Sequence, residues 1–314
     1  MKGQIKYMKG LDLSKEYYLK YKEDLFKEIG DLKNYLAFGL VGSGSECYGF
    51  DDEISQDHDF EPGFCIFAPA NMDRKDLFKV ERAYQKLPRD FMGYKRSLVE
   101  NGKHGLILIE DFYKTKIATL NYESIGLDWF NVPQHFLSEA TNGVIFDDYF
   151  NQFSNIRNKI KYYPEDIRLK KLAGSLLLMK QAGVYNYPRC IEHKDTASAQ
   201  MAIYEYVKST IDVIFLLNKI YKPYYKWQFR YLNKLNILSN LVSPLEYLME
   251  TDNSKDMFNG KVEIINDINE MILDEVKKQG LSKELCSDLE NNAFSVNNQI
   301  KDNEIRNLDI LYGV

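Results

Sequence analysis

Two short groups of residues in this 314-residue chain have the types and spacing to handle a metal-complexed phosphate. Gly42, Ser43, Gly44 and Ser45 stand together, and Asp57 and Asp59 follow, separated by His58. With little or no side chain at the glycines, the backbone can bend sharply and turn its N–H groups toward an anion, and the two hydroxyls can donate as well. Carboxylates two residues apart on a strand project to one side, where they repel each other unless a cation lies between them. Mg²⁺, with Mn²⁺ as a substitute, takes oxygen ligands and commonly binds substrate phosphates too. A pair of such ions roughly 3.5–4 Å apart can stabilise both the attacking and the leaving oxygen of an in-line displacement at phosphorus. Taken singly, a Gly-Ser cluster is an ordinary turn or helix cap and Asp-x-Asp an ordinary solvated loop. Together at this spacing they point to a nucleoside triphosphate and transfer of its nucleoside monophosphate to an acceptor. His58, between the aspartates, projects to the opposite face and reads as packing or as a hydrogen bond behind the site.

These residues need a frame. The apolar run Leu36 to Val41 reads as a strand delivering the turn, and 58–68, with Phe60, Phe64, Ile66 and Phe67, has strand composition up to Pro69. Asp12 can cap a helix whose stripe Tyr18, Tyr21, Leu25, Ile29 and Leu32 has spacings of three and four. Asp73 to Gln85 has helical spacing, and Gly105 to Ile109 reads as a further strand. This order fits a small mixed sheet covered by helices. From Gly126 the pattern changes. Apart from a short β-like insert at Gly143 to Phe146, ended by Asp147 and Asp148, the remainder is helical, with stripes such as Ile203, Val207, Ile214 and Leu217. The expected fold is α+β, with a mixed-sheet domain over 1–125 and a helical bundle domain over 126–314.

The string from Gly42 through Ser43, Gly44 and Ser45 to Asp57, His58, Asp59 and Phe60 resembles the signature of the nucleotidyltransferase superfamily of the DNA polymerase beta type. In particular it is similar to a bacterial branch known as domain of unknown function 4037. Three later blocks resemble the same branch: Leu87-Pro88-Arg89-Asp90-Phe91-Met92-Gly93-Tyr94, Leu127-Asp128-Trp129-Phe130 with Pro133-Gln134, and Tyr221-Lys222-Pro223-Tyr224-Tyr225-Lys226-Trp227. The resemblance implies a nucleotidyltransferase-like sheet, with Gly42, Ser43, Gly44 and Ser45 on the phosphates and Asp57 and Asp59 as metal ligands. It also implies a third carboxylate on a neighbouring strand. Here Leu106 to Ile109 is wholly aliphatic, and the first acids are Glu110 and Asp111. Alternation puts Glu110 on the face of Leu106 and Leu108, so Glu110 is the candidate third carboxylate or base. The competing reading is that Glu110 and Asp111 open a helix, where acids complement the macrodipole. Without that third acid, the same fold would serve as a catalytically weak, nucleotide-binding regulatory module. Lys226, flanked by aromatics, fits contact with a phosphate beside a stacked base, and a packed inter-helix turn accounts for the same string.

Composition narrows the partners. A net charge of −5 argues against an extended nucleic-acid surface. The longest apolar runs, such as Val213 to Leu217, fall far short of the roughly 20 residues that cross a bilayer, and no signal-peptide pattern opens the chain. A cytoplasmic protein without membrane association is expected. Cys47, Cys65, Cys190 and Cys286 have no Cys-x-x-Cys spacing and read as free thiols. Arg157, Lys159, Lys161, Arg168, Lys170 and Lys171 read as a solvated helix face.

Overall fold

A computed structural model of the chain describes residues 8–55, 60–96, 103–118 and 120–314. Two units are formed, one from Met1–Glu123 with Phe136–Lys161 and the other from Ser124–His135 with Tyr162–Val314.

The first unit is built on a mixed sheet. Its elements begin with helix α1 (Gly10–Ile29), strands β1 (Ala37–Leu40) and β2 (Cys65–Ala68), and helix α2 (Arg74–Gln85). The hairpin β3 (Asp90–Phe91) and β4 (Tyr94–Lys95), strand β5 (Gly105–Leu108) and helix α3 (Ile109–Ile117) follow. After α4 (Asp128–Asn131), which belongs to the second unit, come α5 (Gln134–Thr141), whose first two residues also fall in the second unit, β6 (Val144–Asp148) and α6 (Gln152–Lys159). The strand order is β5-β2-β1-β6, with β2 parallel to β5 and both other pairs antiparallel. The short β-like insert read in the sequence is therefore the edge strand beside β1. Gly39 permits this pairing, because a Cβ there would lie 2.6 Å from the Val144 carbonyl oxygen, at a shift in register between β1 and β6.

Every residue of β1 and β2 is buried, the pattern of strands covered on both faces. On one face α1 and α2 contribute Tyr17, Tyr18, Leu25, Val80 and Tyr84 against Phe38, Phe64 and Ile66. The Tyr18 ring stacks on Phe38 at 5.5 Å and meets Phe64 edge-on at 5.1 Å. Such pairs add about 0.5–1.5 kcal/mol beyond area burial. On the other face, Phe67 packs on Phe112 of α3 at 5.3 Å and on Phe153 of α6 at 4.2 Å. Alternation along the four-residue strands thus feeds two cores. Of the strand expected over 58–68, the described part from Phe60 pairs only from Cys65, since Glu61, Pro62 and Gly63 run as irregular chain and Pro62 has no N–H to give a ladder.

The second unit is helical. It comprises α7 (Glu165–Met179), a π-helical turn over Lys180–Asn186, α8 (Tyr187–Glu192), α9 (Thr196–Asn218), α10 (Gln228–Leu232), α11 (Val242–Glu250), α12 (Lys255–Lys278), α13 (Leu289–Asn297) and α14 (Asn303–Asn307). Asp195 caps α9 by accepting from the Ser198 N–H. The centre is α7, packed between α9 and α13 and buried around most of its circumference. Its Arg168 and Lys170 are buried too, which departs from the solvated face read in the sequence. Lys170 Nζ donates to Asn297 Oδ1 and the Leu308 carbonyl, each at 2.8 Å, and Arg168 donates to the Leu216 carbonyl at 3.2 Å. Buried cations of this kind persist only when their donors are satisfied. Among the described residues, no helix is long and apolar enough to cross a membrane.

Candidate functional site

The turn after β1 bends as its glycines allow, with φ of 106° at Gly42 and 119° at Gly44, values that L side chains rarely adopt. Its position is set from the segment leading into β6. The Gly42 N–H donates to Asn142 Oδ1, and Asn142 Nδ2 donates to the Gly42 carbonyl, both at 2.8 Å. Arg157 of α6 holds that segment by donating to the carbonyls of Thr141 at 2.6 Å and Asn142 at 2.7 Å. Burial pulls the Arg157 pKa below its usual value, though a guanidinium keeps its charge.

Ser43 is exposed beside a cavity of about 250 Å³ in the first unit, which Gly42 also lines. The Ser43 hydroxyl donates to Glu139 Oε2 at 3.0 Å and accepts from Lys116 Nζ at 2.9 Å, while Lys116 and Glu139 form an ion pair. Lys103 enters from the segment before β5, and Glu46 lies 3.7 Å from its ammonium. The Glu46 carboxylate lies against Gly44, where a Cβ would collide with it. Asp111, Thr115 and Lys116 of α3 complete the polar lining. Cys65 also faces the cavity, and burial pushes its thiol up to about 12, so thiolate chemistry is excluded there at neutral pH.

The residues singled out in the sequence are thus distributed unevenly. Gly42 and Ser43 line the cavity. Ser45 instead offers its carbonyl to the N–H groups of Tyr48 at 3.1 Å and Phe50 at 2.9 Å, closing the turn from behind. Asp57 and Asp59, with His58, lie outside the described residues. Glu110 opens α3 with Asp111, and its Oε2 accepts the Ala70 N–H at 2.8 Å. The cavity is lined by Asp111 in its place. In the acidic loop, Asp51 is buried and accepts the Gly10 N–H at 2.7 Å at the start of α1, a structural role. Lys226 is exposed, its ammonium 4.6 Å from the Trp227 ring centroid. Lys103, Lys116, Glu139, Asn142 and Arg157 were not singled out for this site. Spacing alone does not mark them: Asp111 and Thr115 share a helical face at a separation of four, but Lys116 lies some way around the helix from both.

Among the described residues, no group of three or more His, Cys, Asp or Glu side chains is placed to hold a metal ion. The described lining carries two ammonium groups, Lys103 and Lys116, and two carboxylates, Glu46 and Asp111. With Glu139 on the Lys116 ammonium as well, the lysine charges are fully offset by carboxylates, so the cavity has little attraction of its own for a bare triphosphate.

Residues 129–228 match the model of a family described as a domain of unknown function, DUF4037. The matched segment runs from α4 to the start of α10 and lies downstream of the glycine turn. No curated protein matches the chain.

Proposed function

We propose that the protein is a Mg²⁺-dependent nucleotidyltransferase, moving a nucleoside monophosphate from a nucleoside triphosphate to an acceptor hydroxyl with release of pyrophosphate. The observation that supports this reading best is the glycine turn at the end of β1, beside a cavity that holds Ser43, Lys103 and Lys116. In this reading Asp57 and Asp59 bind the ion, which supplies the positive charge that the neutral lining lacks and stabilises charge developing on the phosphates. The lysines contact phosphate oxygens as point charges. Ser43 exchanges its Glu139 contact for one to the triphosphate, and Asp111 stands nearest the role first considered for Glu110.

A second reading, a nucleotide-sensing module with little or no turnover, draws on one feature of the same site. The Ser43 hydroxyl and the Gly42 N–H already have protein partners, and β5 carries no acid. Calorimetric titration of Mg-ATP and Mg-GTP, followed by a pyrophosphate-release assay with cell extract as the acceptor source, separates the two. Transfer predicts binding that EDTA abolishes, and release that falls at least about a thousandfold in Asp57→Asn and Asp59→Asn with an unchanged circular-dichroism spectrum. Binding without release would favour the sensor, and full activity in both aspartate variants would refute the metal roles.

A further inference from the structure

We propose that the second unit carries its own binding site for a small organic anion with a planar ring, in which Lys171 and Lys222 receive the anionic group and Tyr204, Tyr224 and Tyr225 receive the ring. The site is a cavity of about 580 Å³ whose lining residues all belong to that unit, so it does not depend on the nucleotidyltransferase reading. Its volume falls within the range of roughly 300–1,000 Å³ typical of small-molecule sites. The polar residues named here lie within the segment matched by the family model.

The walls have three characters. Leu178 of α7 and Val207, Ile211 and Leu216 of α9 supply apolar lining. Tyr204, Tyr224 and Tyr225 line the same cavity. Tyr224 and Tyr225 have ring centroids 4.4 Å apart, and Tyr225 is 70% and Tyr204 55% exposed. Exposed aromatic rings beside a cavity offer flat apolar surface to a ligand at small entropic cost.

The third wall is charged, with more lysines than side-chain carboxylates. Three ammonium groups, from Lys171, Lys208 and Lys222, line the cavity with one side-chain carboxylate, Asp212, and with Val314 at the end of the chain. Lys208 turns to Glu205 at 3.1 Å. Lys222 pairs with Asp212 at 2.5 Å, leaving Lys171 to share that carboxylate at longer range. The Lys171 ammonium donates to the Gly313 carbonyl at 2.6 Å and lies 5.5 Å from the rings of Phe130 and Tyr163. Burial pulls its pKa down to about 8, with Lys222 acting in the same direction and Asp212 opposing. A partly buried cation whose nearest side-chain carboxylate is already paired with Lys222 is costly, and an anion beside it would relieve that cost. Gln134 on the same cavity adds a spare donor, its buried Nε2 having no acceptor among the described residues.

The test is calorimetric titration of the full chain in EDTA, which silences a metal-dependent site elsewhere. The probes are phenyl phosphate and indole-3-acetate, with inorganic phosphate and indole as controls lacking ring or charge. Both ring-bearing anions should bind with a Kd of about 1 mM or tighter, and both controls at least about tenfold more weakly. At about pH 8.5, indole-3-acetate binding should take up protons, read from the dependence of its heat on buffer ionisation enthalpy, and the uptake should vanish near pH 6. The charged and titratable groups that line the cavity with Lys171 or pack on it are Asp212, Lys208, Lys222, His135, the phenols of Tyr163, Tyr204, Tyr224 and Tyr225, and Val314 at the end of the chain, so the Lys171→Met variant is what assigns the uptake to Lys171. Tyr225→Ala, at an exposed position that the fold does not need, should weaken both anions about tenfold. Lys171→Met should weaken them similarly and abolish proton uptake. The proposal is overturned if neither anion binds at about 10 mM, if indole binds as well as indole-3-acetate, or if Tyr225→Ala binds as the parent does.

Discussion

The two units handle the lysines that line their cavities in opposite ways. Beside the glycine turn each lysine has its own carboxylate, Lys116 with Glu139 and Lys103 with Glu46. In the helical unit, Lys171 and Lys222 divide one carboxylate between them. The first arrangement is charge-neutral and holds Ser43 in place, at the expense of any intrinsic attraction for phosphate. The second places more lysines than side-chain carboxylates on one cavity, which is the basis of the anion site proposed there. The difference teaches that a lysine-lined cavity is not in itself an anion site: what counts is whether its carboxylates are used up.

The sharpest way to break this contrast is Glu139→Gln, which leaves Lys116 buried without its counter-ion. That variant should lose about 3–5 kcal/mol of stability in urea titration, and adding Lys116→Met should restore part of it. Lys171→Met should act in the reverse sense. Because the folded-state pKa of Lys171 lies below its unfolded value, the unfolded chain binds more protons between about pH 8 and about pH 10.5, and this group's contribution to stability rises with pH across that window. The parent should therefore gain up to roughly 3 kcal/mol relative to Lys171→Met over that range, with the variant the more stable near pH 7. Asn142→Ala removes both bonds to Gly42 and should cost about 1–2 kcal/mol, with nucleotide affinity falling along with it. Lys226→Ala, at an exposed position, should change stability by less than about 0.5 kcal/mol and leave calorimetric nucleotide binding as it was.

Much of the architecture could be read from local pattern. The stripe of α1, the apolar run into the glycine turn, the aliphatic β5 and the periodicity of α9 each record which face of an element is buried, and the structure forms all of them. Local pattern does not record which distant segment does the burying. Nothing near Gly39 announces that Val144 and Ile145 will pair there, and nothing near Gly42 announces the amide of Asn142 or the guanidinium of Arg157 behind it. Lys170 looks solvated because its neighbours are charged, yet its ammonium is satisfied by Asn297 and by carbonyls more than a hundred residues away. At the candidate site, the turn was visible because glycine has few substitutes at such φ values. Its charged partners were not, since a lysine on a helix gives no local sign of the hydroxyl it will meet. Lys226 drew notice for its aromatic neighbours, whereas Lys222 four positions earlier lines the cavity of the helical unit.

The placement of β6 also has a consequence for how the polypeptide is made and divided. Residues 124–135 belong to the helical unit, whereas 136–161 complete the sheet, so the units are interleaved along the chain. On the ribosome, β1 must wait for more than a hundred further residues before its outer edge is covered. A fragment stopped at residue 125 would present that edge bare and should aggregate through it, so a soluble N-terminal piece has to extend through Lys161.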